Sequence, residues 1–394
     1  MLHPDTALRA ILDAAAPLAP AAVPRAQSLG LVLAQDLRAD GDYPAFPRAM
    51  MDGFAVRVSD AGRVVAVAGE VAAGQSPTMR IEAGSAVEIM TGAPCPAGAE
   101  AVVPKEEVTR EAGRVTLPAV IEPGKHIAPA GSECAKDRVV APRGTPVTPL
   151  VIANMAAFGY ESVLAVPRPR CAVITTGSEV VMPGVAPGPH QIRNSNGPML
   201  EAFFRMMGMT EVTVLHALDT EQDLLDTLDA SAHADIVLLT GGVSVGKYDL
   251  VPGVLERFGV EPVFHKVAQR PGKPTWFGRK GPRLYFGLPG NPLACHLGFH
   301  RYAGAAIRKM TGRTPEQQPV PGRLMAPVKG LPKLTVFQLC RSAREQGEWQ
   351  VTPLPGKGSA DLYAPAAANA YVRVEADCAG LAAGDTVAFF PILE

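Results

Sequence analysis

Three apolar runs that each end in a glycine loop constrain this chain more than any other feature of its sequence. Cys171-Ala172-Val173-Ile174-Thr175 leads into Thr176-Gly177-Ser178, and Asp235-Ile236-Val237-Leu238-Leu239 into Thr240-Gly241-Gly242-Val243-Ser244-Val245-Gly246. Leu284-Tyr285-Phe286 leads into Gly287-Leu288-Pro289-Gly290-Asn291-Pro292. Each run reads as a buried strand, and a helical pattern follows each loop. That alternation predicts βαβ units around a parallel sheet. Ligands of such sheets bind outside the carboxyl ends of the strands, which is where these loops fall.

At 394 residues the chain is too long for one ordinary core, so two or more domains are expected. Leu8, Ile11, Leu12 and Ala15 recur at helical spacing and predict an amphipathic helix from about Thr6 to Ala16. From Leu31 to about Pro149 short β-type runs such as Phe54–Val58, Val64–Val67 and Val115–Pro118 alternate with Gly and Pro, and short β runs return beyond Thr314. The expected fold is therefore multidomain α/β plus β. It has a central three-layer αβα domain with a mostly parallel sheet, an inserted β module and a small β-barrel-like domain at the C-terminus.

The formal net charge of -1, with no long basic run, gives no surface for broad nucleic-acid binding, so any anion must be held locally. Cys95, Cys134, Cys171, Cys295, Cys340 and Cys378 are scattered without CxxC spacing, as in a reduced cytoplasmic protein. The apolar stretch Ala14–Val23 has no basic region before it and acids at Asp5 and Asp13, so it does not read as a signal peptide. No apolar run approaches the roughly 20 residues that span a bilayer. A soluble protein with no membrane contact is expected.

Glycine loops before helix N-termini suit a phosphate or pyrophosphate, because the backbone can approach the anion and unsatisfied N–H groups point at it. A single such loop is more often a tight turn; three on one sheet edge favour a ligand. No loop matches GxGxxG or GxxxxGK[ST], so neither a dinucleotide fold nor a P-loop follows. Glu179 and Asp249 accompany the loops and are oxygen donors suited to Mg²⁺. Asp249 equally fits an N-cap for a helix from Leu250 to Phe258, and Glu179 a solvated first-turn acid. Lys266, Arg270 and Lys273 surround a Pro-Gly turn that could clamp an oxyanion or simply be solvated. Asn291-Pro292 reads as a helix start. His296 and His300 have zinc spacing, but Leu297 stands where HExxH has its glutamate, so a structural role is expected. Met199, Met206, Met207 and Met209, with Leu200, Phe203 and Phe204, read as core packing.

Taken in order, these segments closely resemble the molybdopterin molybdenumtransferase family, the MoeA and gephyrin E-domain proteins. Met51-Asp52-Gly53-Phe54-Ala55-Val56 resembles MDGYAV, and Met90–Pro94 with Ala97–Val103 resembles TGAP…GADAVV. Thr176–Glu179 resembles TGDE, Asn194-Ser195-Asn196 resembles NSN, and Thr240–Gly246 matches TGGVSVG. Arg270–Pro274 resembles KPGKP, and Gly287–Pro292 matches GLPGNP. The resemblance implies an elongated linking domain from 1–45 and 140–170, an inserted β module at 46–139, an α/β molybdopterin-binding domain at 171–314 and a β domain at 315–394. It also implies an L-shaped homodimer whose active cleft draws on the partner's β module, and contacts with other cofactor-synthesis proteins.

The implied reaction converts adenylylated molybdopterin and molybdate into molybdenum cofactor and AMP, assisted by Mg²⁺ or another divalent cation. Asp52, Glu179, Asp249 and Lys273 would carry the chemistry, with Glu179 and Asp249 on the metal. Thr91, Gly177, Ser178, Asn196, Gly241, Gly242, Ser244, Gly246, Arg270, Pro289, Gly290, Asn291 and Pro292 would bind the pterin nucleotide and oxyanion. Departures accompany the match. Pro47-Arg48-Ala49-Met50 stands where the family often reads DNSA, and Ala128 and Ser132 stand where N-[IV]-R-x-x-G-E-D has an arginine and an acid, leaving Glu133. Lys247 replaces a common acid, and Leu334 and Leu339 fall where the last domain often has arginines. The alternatives are a binding or scaffold relative of the same fold, a pterin adenylyltransferase, or a variant that delivers tungstate.

Overall fold

Alternation of side chains along the predicted strands, with a period of two, decides how residues 171–310 stack in the computed structural model, which describes residues 1–243, 250–354, 356, 358, 361 and 364–392. The six-stranded sheet runs in the order Val212–Ala217, Cys171–Thr176, Ile236–Thr240, Arg283–Leu288, Trp276–Lys280, Glu261–His265. Its first four strands are parallel. The last two are antiparallel, and Trp276–Lys280 turns back into Arg283–Leu288 through Gly281.

Val173, Ile236, Leu238, Leu284 and Phe286 point to one face, where they bury the helices Pro4–Ala14 and Asn196–Met206 and the run from Pro292 to Met310. Ala172, Ile174, Val237, Leu239 and Tyr285 point to the other, against Glu221–Ala230 and Val251–Arg257. Three layers follow from that alternation. The first helix begins at Pro4 rather than Thr6, because proline fits the first helical position, where no N–H donor is needed. Leu200, Phe204 and Met209 are buried and Met199, Phe203 and Met207 pack against them, whereas Met206 is exposed.

Beyond residue 314, Thr335–Glu345, Glu348–Pro353, Val320–Leu324, Thr386–Pro391 and Ala370–Val374 pair in that order, and the last pairs with the first. The result is a closed five-stranded barrel filled by Leu324, Val351, Val372, Val374 and Phe389. Gln269–Arg270 leaves the central sheet and adds to it, in parallel with Thr335–Val336.

The chain divides into two units, one comprising 1–23, 30–34 and 164–394, and the other 24–29 and 35–163. The second holds a six-stranded sheet in the order Ala101–Pro104, Gly53–Val56, Ser85–Ile89, Val64–Val71, Arg114–Thr116, Thr109–Glu111. Phe54, Val56 and Val103 fill one face of it, and Ala55, Val87 and Val102 the other. Gly53 has no room for a side chain, since a Cβ there would lie 2.0 Å from the Val103 carbonyl oxygen. No helix among the described residues is long and apolar enough to cross a membrane.

Candidate functional site

The three glycine loops emerge side by side. Parallel register aligns Thr175 with Thr240 and Thr240 with Leu288, so their strands end at one level. Gly177, Gly241, Gly242, Pro289 and Gly290 therefore share one edge. Gly241 lies in the left-handed region at φ 100°, and a Cβ there would come within 2.5 Å of Thr176 Oγ1 and 2.7 Å of the Thr176 carbonyl oxygen. Only glycine lets these loops close on each other.

Asn196 fastens two of them. Its Nδ2 donates to Thr240 Oγ1 at 3.1 Å and to the Gly290 carbonyl oxygen at 2.8 Å, while its buried Oδ1 has no partner. Thr240 Oγ1 also donates to the Pro289 carbonyl oxygen at 3.3 Å, and the Cys295 thiol donates to the same oxygen at 2.9 Å. The NSN segment is thus a brace beneath the loops. Asn291 occupies the N-cap position and Pro292 the first turn, but the Asn291 side chain makes no capping bond; its carbonyl oxygen accepts from Ala294 and Cys295 instead.

The acidic group that composition did not single out is Asp219. It follows the strand Val212–Ala217, and its Oδ2 accepts the Ser178 N–H at 2.9 Å while its own N–H donates to Ser178 Oγ at 3.3 Å. The Ser178 amide is therefore engaged by a carboxylate. Glu179 folds back over the same loop, its Oε2 2.8 Å from where a Cβ on Gly177 would sit. Asp249, Ser244, Gly246 and Lys247 lie outside the described residues. Among the described residues no three acidic, histidine or cysteine groups gather as a metal site.

The basic turn abuts the helix Pro292–Gly298 that follows the third loop, with the Gly272 Cβ position 3.9 Å from Ala294 Cβ. Lys273 and Arg270 are both exposed. Arg270 and Pro271 line a cavity of about 120 Å³ with Leu293, Leu297, Gln338 and Leu339. The His296 and His300 rings lie 4.7 Å apart, inclined at 54° and each edge-on to Phe203, and burial holds the His296 imidazole down to about 4. They are neutral core residues, as their sequence context predicts.

A separate constellation lies in the other unit. Asp52 Oδ1 accepts the Thr91 N–H at 2.8 Å and the Thr91 hydroxyl at 2.7 Å, and Lys105 Nζ stands 3.7 Å from Oδ2. These donors hold the carboxyl below its ordinary value, the Thr91 hydroxyl contributing most. Arg48–Ala49 pairs with Ile127–Ala128 on one side, while Ala49 exchanges hydrogen bonds with Ala93 and Gly92 on the other. Three segments that are distant in sequence so become one edge.

The chain matches three family descriptions: MoeA N-terminal region (domain I and II) over residues 2–159, probable molybdopterin binding domain over 172–309, and MoeA C-terminal region (domain IV) over 321–392. A molybdopterin molybdenumtransferase of Bacillus subtilis (strain 168) is 33% identical over 383 residues, covering 93% of this chain and 88% of the relative. One from Staphylococcus aureus (strain MRSA252) is 33% identical over 374 residues, 92% of this chain and 88% of its own. The crystal structure of a molybdopterin biosynthesis MoeA protein from Pyrococcus horikoshii superposes with a TM-score of 0.86 at 28% identity, covering 100% of this chain and 99% of that one.

Proposed function

We propose a specific reaction from the premise that this chain belongs to the molybdopterin molybdenumtransferase family and is an enzyme of molybdenum cofactor biosynthesis. It transfers molybdenum from molybdate to adenylylated molybdopterin and releases AMP. The observation that carries this reading is the common edge on which three glycine loops end beside a basic turn, since it offers a pyrophosphate and an oxyanion adjacent seats.

In this reading Gly242 and Gly290, with Ser244 and Gly246, receive the phosphates on backbone donors, while Gly177, Gly241, Pro289, Asn291 and Pro292 line the same edge; the Gly177 and Gly241 amides already donate to the Ala217 and Leu288 carbonyl oxygens, and proline has no N–H to give. Asn196 keeps the loops in register. Glu179 and Asp249 hold the divalent cation, which when bound neutralises charge on the phosphate oxygens. Arg270 and Lys273 hold molybdate, and a guanidinium fork suits a tetrahedral oxyanion. Asp52, kept ionised by Thr91, works on the metal or molybdate side of the cleft. We place that half of the site in a homodimer, each active cleft completed by the partner subunit's β module. One observation favours the binding-protein alternative: Leu339 lines the cavity beside Arg270 where the resemblance has an arginine.

The test is Mg²⁺-dependent AMP release from adenylylated molybdopterin in the parent protein and in Asp249→Ala. The variant should bind the nucleotide yet lose most turnover while keeping its thermal melt. Unchanged turnover would remove Asp249 from the site.

A further inference from the structure

Position 128 should carry a guanidinium if the resemblance held there, yet Ala128 is apolar and buried. Its register partner across the two-residue antiparallel ladder is Arg48. Directly paired residues lie about 4.5–5.5 Å apart at Cβ, so a long side chain at 48 reaches the space that one at 128 would fill. Arg48 Nη2 donates to Glu133 Oε1 at 2.6 Å, and its guanidinium carbon lies 5.5 Å from the centroid of the Tyr43 ring. Glu133 is the remaining acid of the same departed motif. On its other side the Arg48 strand is fixed to the Thr91 loop, because the Ala49 N–H donates to the Ala93 carbonyl oxygen and Gly92 returns a bond to Ala49. Asp52 follows three residues later, with Lys105 against it.

We infer that Arg48 supplies, from the opposite strand, the guanidinium that the resemblance places at 128, and that it serves the oxyanion of the proposed reaction. The inference rests on the reading above that this edge serves a molybdate reaction. Arginine suits the task because its planar fork matches tetrahedral oxyanions and its charge does not titrate. Glu133 and the Tyr43 ring fix the direction of the fork. As a purely structural contact, an ion pair this exposed contributes little, so stability alone gives the pair no strong purpose. The apparent gap at Ala128 is then a change of strand and not a loss of charge.

The full-length protein, Arg48→Ala, Arg48→Lys and Arg48→Ala/Ala128→Arg would be compared for equilibrium binding of molybdate and of adenylylated molybdopterin, with thermal melts alongside. Arg48→Ala should weaken molybdate binding about ten- to a hundredfold, as expected for a lost charge-assisted bond, and leave nucleotide binding unchanged. Ala128→Arg in that background should restore it, and Arg48→Lys, a point charge without the fork, should fall between. Molybdate binding by Arg48→Ala equal to the parent, or a double variant that folds without recovery, would overturn the inference. AMP release is read separately, so failure of the parent to turn over would refute the proposed reaction without obscuring this result.

Discussion

At the scale of single residues, Asp52 shows how local donors set the charge of a candidate site carboxylate. The Thr91 hydroxyl and amide both stabilise the carboxylate, so Thr91→Val should raise the Asp52 titration toward the ordinary carboxyl value while the backbone bond keeps it from reaching it. Carbonyl-detected NMR of the Asp52 side chain checks this, and an unmoved midpoint would contradict the assignment. Asp52 and Thr91 were legible because each stands in a motif beside a glycine. Asp219 was not. The strand before it, Val212-Thr213-Val214-Leu215-His216-Ala217, carries polar residues on an edge position and ends in Leu218-Asp219-Thr220 without a glycine, so nothing marked its carboxyl end. Arg48 read as a departure because its partner across the ladder is 80 residues away, a relation that only register reveals.

At the scale of elements, the loops depend on close backbone approach more than on side chains. Gly241→Ala places a Cβ against Thr176 and forces a left-handed residue to carry a side chain, so it should cost about 1–3 kcal/mol and weaken pterin nucleotide binding. Urea unfolding with a parallel binding titration measures both; a stable variant with parent-like affinity would remove the loop from the site. The strands ending in these loops were readable because both of their faces are buried, which makes them continuously apolar. The antiparallel strands Trp276–Lys280 and Glu261–His265 were not readable, since their apolar residues are diluted by Gly278, Arg279 and Pro262. The small C-terminal barrel was expected, but not which strands close it: runs of β type predict strands, whereas the pairing of Thr335–Glu345 with Ala370–Val374 is a long-range choice.

At the scale of the molecule, buried groups link parts of the larger unit. Asp5 on the first helix accepts from Arg301 at 2.5 Å and from Arg373 of the barrel at 2.8 Å twice. Asp5→Asn should cost about 1–2 kcal/mol, because Arg301, which is largely out of water, loses its counter-charge while Arg373 keeps Glu375 at 2.8 Å, and Asp5 itself is half exposed. A smaller drop than 1 kcal/mol in chemical unfolding would contradict that; this threshold follows the usual worth of a neutral hydrogen bond, about 1 kcal/mol. His296 and His300 add a pH dependence. Burial lowers both, His296 from 6.5 to about 4. They stay neutral in the folded chain and take up protons on unfolding below pH 6.5, so the stability they confer is complete above that value and declines as pH falls toward 4. The slope is about 1.4 kcal/mol per pH unit for each proton, and His296→Leu should flatten it. An unchanged slope in acid would show that the pair is hydrated.

The central claim is that the common loop edge performs metal insertion. Its most direct measurement incubates the protein with adenylylated molybdopterin, Mg²⁺ and increasing molybdate, following AMP release together with activation of a molybdenum-free molybdoenzyme. The account predicts that both rise together and saturate with molybdate. Tight nucleotide binding with neither AMP nor activation would contradict it, and would leave a pterin-binding protein on this fold.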